Sequence, residues 1–80
     1  MQTVSQYDHV TIKILKMKRV SYIKQAIRIG PDYADAHYNL GVNYSLGFND
    51  RDSALEQYKI LYYLDTELAK ELLDLIYIEE

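Results

Sequence analysis

The chain has no cysteine and no tryptophan, one proline, three glycines, two histidines and one phenylalanine in 80 residues. Without cysteine, disulfide staples, thiolate zinc sites and thiol redox chemistry are all excluded. No apolar run approaches the roughly 18 residues of a membrane-spanning helix. The N-terminal MQTVSQYDHV lacks the basic-then-apolar order of a secretory signal, so a soluble, cytoplasmic chain with no membrane association is expected. Asn43-Tyr44-Ser45 matches a glycosylation sequon and is read as incidental in that setting. There is no phosphate-binding glycine loop, no nucleophile motif and no metal-ligand spacing. Asn49-Asp50-Arg51-Asp52 lacks the ligand count and the distal glutamate of a calcium loop. No enzyme activity, cofactor or metal is therefore expected.

Nine residues are tyrosine, and the net charge of −3 conceals an asymmetry. Residues 1–29 carry Lys13, Lys16, Lys18, Arg19, Lys24 and Arg28 against Asp8, a net of +5. Residues 30–80 carry three basic and eleven acidic side chains, a net of −8. The two parts can attract each other, within a chain or between chains. At 80 residues the chain is one small domain, able to bury only about 60–65% of its unfolded surface.

All the proline and glycine lies at positions 30, 31, 41 and 47, so the punctuation is confined to one region. Residues 31–65, PDYADAHYNLGVNYSLGFNDRDSALEQYKILYYLD, read as two short helices joined by a turn. Gly41 lies inside a helical pattern, where glycine costs about 1 kcal/mol against alanine, so close approach of a second helix is expected there. His37, Leu40, Gly41 and Tyr44 on the first helix are followed by Ala54, Tyr58 and Leu61 on the second and by Thr66. In that order and spacing the stretch resembles one tetratricopeptide repeat, a helix–turn–helix unit of about 34 residues. His37, Leu61 and Thr66 replace the family's usual aromatic, alanine and proline. The 13 residues from Gly41 to Ala54 are one more than the family norm, which lengthens the turn.

Upstream, Ala26, Ile27, Ile29 and Pro31 correspond to Leu61, Tyr62, Leu64 and Thr66 at a constant offset of 35, so the chain opens on half a repeat. Residues 4–29 have no Gly or Pro and favour helix. Their apolar residues fall on two stripes about 120° apart. One is Tyr7, Val10, Ile14 and Met17; the other is Leu15, Tyr22, Ala26 and Ile29. Either the helix breaks near residues 16–19, or one long helix is covered on two faces; VTIKIL also alternates weakly as a strand would. Asp32 is expected to cap the first repeat helix, which runs to about Leu46 with Gly47 as its stop signal. The second helix starts between Asp50 and Ser53, with a capping box Ser53-Ala-Leu-Glu56, and ends near Leu64. Asp65 caps a third helix from Thr66 to about Ile78, with Leu68, Leu72, Leu75 and Ile76 on one stripe. At the offset of 35, Ile76 stands where the repeat has Gly41, so its bulk is expected to hinder a further helix and make this a terminal capping helix.

The expected architecture is all-α: a partial repeat over 1–30, a hairpin over 31–65 and a capping helix over 66–80. The resemblance implies protein or peptide binding. Asp35, Tyr38, Asn39, Val42 and Ser45 would face a peptide groove, and the acidic start of that helix implies a neutral or basic ligand. No Lys or Arg occurs from Asp32 to Asn49, which argues against a carboxylate clamp. His37 falls in a core position and is expected to be buried and hydrogen-bonded. One and a half repeats are too few for a stable stack, since three or more are generally needed. Self-association, as a homodimer, is therefore expected through Tyr7, Val10, Ile14 and Met17 together with Tyr62 and Tyr63. The alternatives are a monomeric peptide-groove adaptor, and nucleic-acid binding through Lys13, Lys16, Lys24 and Arg28. The acidic remainder of the chain disfavours nucleic acid.

Overall fold

A computed structural model describes residues 9–78. Four α-helices make up the fold, with no strand among the described residues: α1 (His9–Ile29), α2 (Ala34–Val42), α3 (Arg51–Leu64) and α4 (Thr66–Ile76). α2 continues into a π-helical turn, Asn43–Gly47. The all-α hairpin with a preceding helix and a C-terminal helix laid over it is as the sequence indicates.

α1 is a single unbroken helix of 21 residues, about 32 Å long, so neither the break near 16–19 nor the strand over VTIKIL occurs. It ends where Gly30 and Pro31 follow, because a residue before proline is driven out of the helical region. The Gly30 amide donates to Ala26 O at 2.9 Å, and the Tyr33 amide donates to Gly30 O at 3.0 Å. That turn places Asp32 outside the cap. Tyr33, with φ −76° and ψ 96°, is the N-cap of α2 and supplies no side-chain acceptor, so the expected Asp32 cap is absent.

The first hairpin helix does extend to Gly47, but through i→i+5 bonding: the Phe48 amide donates to Asn43 O at 3.1 Å. Gly47 is not the left-handed stop; Asn49, at φ 53°, takes that conformation. The Asp50 amide then donates back to Tyr44 O at 2.8 Å. Asp50 caps α3 by accepting from the Ser53 amide at 3.1 Å. Ser53 is therefore the third residue of the helix and not its cap, so the Ser53–Glu56 capping box does not form. Asp65 caps α4 by accepting from the Leu68 amide at 3.1 Å, as expected.

The core is built where α2, α3 and α4 meet. Ala54 and Leu61 of α3 and Ala69, Leu72 and Ile76 of α4 are fully or almost fully buried, as are Ala36 and Leu40 of α2. Gly41 marks the closest approach. A Cβ added there would lie 2.6 Å from Leu72 Cδ2, 2.9 Å from Cδ1 and 3.3 Å from Cγ. The helix that needs the glycine is thus α4, which covers the hairpin. Arg51 stacks over the Tyr77 ring at 4.8 Å and ties the start of α3 to the end of α4. Ile76 is 4% exposed, so its bulk fills this core and does not stand on the outer flank of α4 as a barrier to another helix.

Among the described residues α1 packs on α2 and the π-helical turn alone, whereas α2, α3 and α4 all pack on one another. No described helix is long and apolar enough to cross a membrane.

Candidate functional site

Covering of α1 from one direction leaves most of its apolar surface open. The covered stripe is Ile12, Lys16, Val20, Ile23 and Ile27, of which Val20 is the most buried. At 100° per residue this is a third stripe, centred about 110–140° from each of the two apparent in the sequence. Both of those therefore stay largely open. Val10, Ile14 and Met17 are 67%, 47% and 54% exposed; Leu15, Tyr22 and Ile29 are 44%, 67% and 87% exposed, with Ala26 half-buried. Tyr7 lies outside the described residues. The packing stripe was hidden in the sequence by Lys16, whose aliphatic stem lies along the π turn: its Cδ would be 3.9 Å from a Cβ at Gly47. The i, i+3, i+7 spacing of Val20, Ile23 and Ile27 was its available signal.

On the outer side of α3, Tyr62 is 53% and Tyr63 87% exposed. Their rings meet edge-to-face at 6.0 Å, and Tyr58 is tilted against Tyr62 at 6.2 Å. Together with Lys59 they border a shallow depression of about 400 Å³. Phenolic rings held in this way offer apolar area with a polar tip, a common composition at interfaces.

The five groove positions do not form one open surface. Asp35 and Asn39 are exposed, whereas Tyr38 and Val42 pack against the core between α2 and α4. Ser45 lies half-buried in the π turn, and Asn39 O accepts from the Asn43 side-chain amide at 2.8 Å. A cleft of about 800 Å³ lies instead between α1 and the α2–α3 turn, where Met17, Val20, Tyr44 and Phe48 form apolar walls and Lys24 and Arg28 sit at the edge. Of the four cations considered for nucleic acid, Lys13, Lys24 and Arg28 are exposed and Lys16 is half-buried.

His37 is 4% exposed. Its Nε2 lies 2.8 Å from Pro31 O and its Nδ1 2.8 Å from Gln57 Oε1. The Pro31 carbonyl can only accept, so Nε2–H donates to it, and Nδ1 pairs with the end of the Gln57 side-chain amide that the ring tautomer requires, since a half-turn of that amide exchanges its oxygen and nitrogen. Both nitrogens are thus engaged in joining the α2 entry turn to α3, a structural use of the residue. Asp50 is held below the usual carboxylate value of 3.8 by its hydrogen bonds with the Ser53 hydroxyl and amide. Among the described residues no group of three or more His, Asp or Glu side chains is placed to hold a metal ion. No family model, curated protein or solved structure matches the chain.

Proposed function

We propose that the chain is a protein–protein interaction module of the tetratricopeptide type, a cytoplasmic scaffold element that completes its core by binding another copy of itself. The observation that carries the reading is the one-sided covering of α1. Six large apolar side chains of one helix, Val10, Ile14, Leu15, Met17, Tyr22 and Ile29, stand 44–87% exposed. Singly exposed apolar residues are ordinary, but two continuous stripes on one helix are an interaction surface. Tyr62 and Tyr63 add a second exposed patch on α3. The charge asymmetry supplies attraction between copies, since α1 carries six cations and no acid.

Sedimentation equilibrium tests the reading. The wild type at tens of micromolar is expected at twice 9.4 kDa or more. Tyr62→Glu/Tyr63→Glu, which places two carboxylates on the open face of α3, is expected to weaken the association. A single species of 9.4 kDa, fully helical at the same concentration, is the contrary result.

A further inference from the structure

We infer that α1 and α4 are the two separated halves of one helical hairpin, and that α4 of one copy docks on the Leu15–Tyr22–Ile29 face of α1 in the next. The inference rests on the self-association reading above and names the two surfaces that meet.

The chain itself shows what a helix in the position of α1 requires. α3 packs against both α2 and α4, and under that double cover Ala54 and Leu61 are 0% exposed. At the sequence offset of 35, α1 corresponds to α3, with Arg19, Tyr22, Ala26 and Ile29 in the places of Ala54, Gln57, Leu61 and Leu64. α1 has α2 where α3 has α4. Where α3 has α2, no described element covers α1, and that side is the one bearing Leu15, Tyr22 and Ile29.

α4 has the complementary deficiency. The same offset places it where α2 is, and α2 buries Ala36 and Leu40. Their counterparts are Glu71, which is exposed, and Leu75, which is half-buried. Glu71 and Leu75, four residues apart, share one flank of α4 beside Leu68, which also packs against the chain's own core. Glu67 and Asp74 border it. A flank with three acids thus matches a helix bearing only cations.

The hairpin α2–α3 also supplies the register. His37 faces Gln57 across the two antiparallel helices. Shifted by the offset in each helix, that pair becomes Leu72 and Tyr22; Leu72 is already 0% exposed inside its own chain, so the register carries over to the residues beside it and not to that pair. The same register sets Ala26 opposite Leu68, a small residue beneath a large one. Arg19 comes opposite Leu75, within a turn of both Glu71 and Asp74. The two bulky or charged substitutions at core positions, Arg19 for Ala54 and Glu71 for Ala36, therefore answer each other across the contact. α1 and α4 make no packing contact within the chain and sit on separate sides of α2, so one chain cannot satisfy its own halves. The contact is heterologous: each added copy presents a fresh α1 and α4, and growth does not stop at two unless the rotation closes.

Two variants, each blocking one half, test this. Tyr22→Glu/Ile29→Glu blocks α1 and leaves α4 intact; Glu71→Lys/Asp74→Lys blocks α4 and leaves α1 intact. All four side chains are exposed, and circular dichroism at wild-type helicity verifies folding. Each variant alone is expected to be monomeric at 9.4 kDa, with association weakened at least tenfold. Mixed in equal amounts they are expected to form a one-to-one complex and nothing larger. A mixture that stays monomeric overturns the inference, as does either variant associating alone like the wild type. In both cases an associating wild type leaves the self-association reading standing. A wild type that is itself monomeric overturns both.

Discussion

Gly41→Ala is the substitution whose outcome depends most on the helix packing described above. In an open helix it would stabilise the fold by about 1 kcal/mol, because alanine is the better helix former. Here the new methyl meets three atoms of Leu72 at 2.6, 2.9 and 3.3 Å. The two nearest are methyls at the end of a side chain, which would normally move aside. Leu72 is 0% exposed, however, so moving it transfers the strain to its core neighbours Ala54, Leu61 and Ile76. Such overpacking costs about 1–3 kcal/mol. The net expectation is a loss of about 1 kcal/mol, a melting-temperature decrease of about 4–8 °C for a domain of this size. Leu72→Ala alone should cost about 2–5 kcal/mol through the cavity it leaves. In that background the alanine at 41 has room, and the same substitution should become stabilising by about 1 kcal/mol. Urea unfolding followed at the helical circular-dichroism band, at one fixed protein concentration, gives the four free energies of the cycle. If Gly41→Ala stabilises both backgrounds equally, α4 does not approach α2 as described.

His37→Ala should lower unfolding free energy by about 2–4 kcal/mol, since it leaves a cavity and strips the Pro31 carbonyl of its donor; Gln57→Ala should cost less. Asp65→Ala removes the acceptor of the Leu68 amide and should cost about 1 kcal/mol by the same urea measurement. Asp50→Asn keeps a cap acceptor but removes the charge. Because folding holds the Asp50 carboxyl below 3.8, its charged form contributes stability fully above that value and loses it as pH falls through the lower folded value. The melting temperatures of wild type and Asp50→Asn should therefore differ most near neutrality and converge in acid.

The parts of the fold governed by local chemistry were legible in the sequence. Asp65 caps where its position implied, Gly41 is required by a neighbouring helix, and His37 is buried with both ring nitrogens engaged. Two caps were misassigned for the same kind of reason. The Gly30–Pro31 turn and the Asn49 left-handed turn each shift the register of the chain entering a helix by one to three residues, and composition does not encode that shift. The packing face of α1 was missed because Lys16 interrupts its apolar spacing, although the lysine stem covers the turn beside it. Of the candidate surfaces, the stripes on α1 and the pair Tyr62–Tyr63 are open, whereas Tyr38 and Val42 are partly used by the core. Helical periodicity identifies which residues share a face; it does not say which of three faces on one helix finds a partner in the same chain.

Amide hydrogen exchange of α1 as a function of protein concentration reads directly whether a second copy covers the helix. A helix covered on one side by its own chain and on another by a second copy should exchange more slowly as copies associate. The α1 amides are expected to gain protection progressively from low to high micromolar concentration, while amides at the α2–α3 core stay constant. Equal protection of α1 at both ends of that range would contradict the account, because it would mean that the helix needs no cover beyond what its own chain provides.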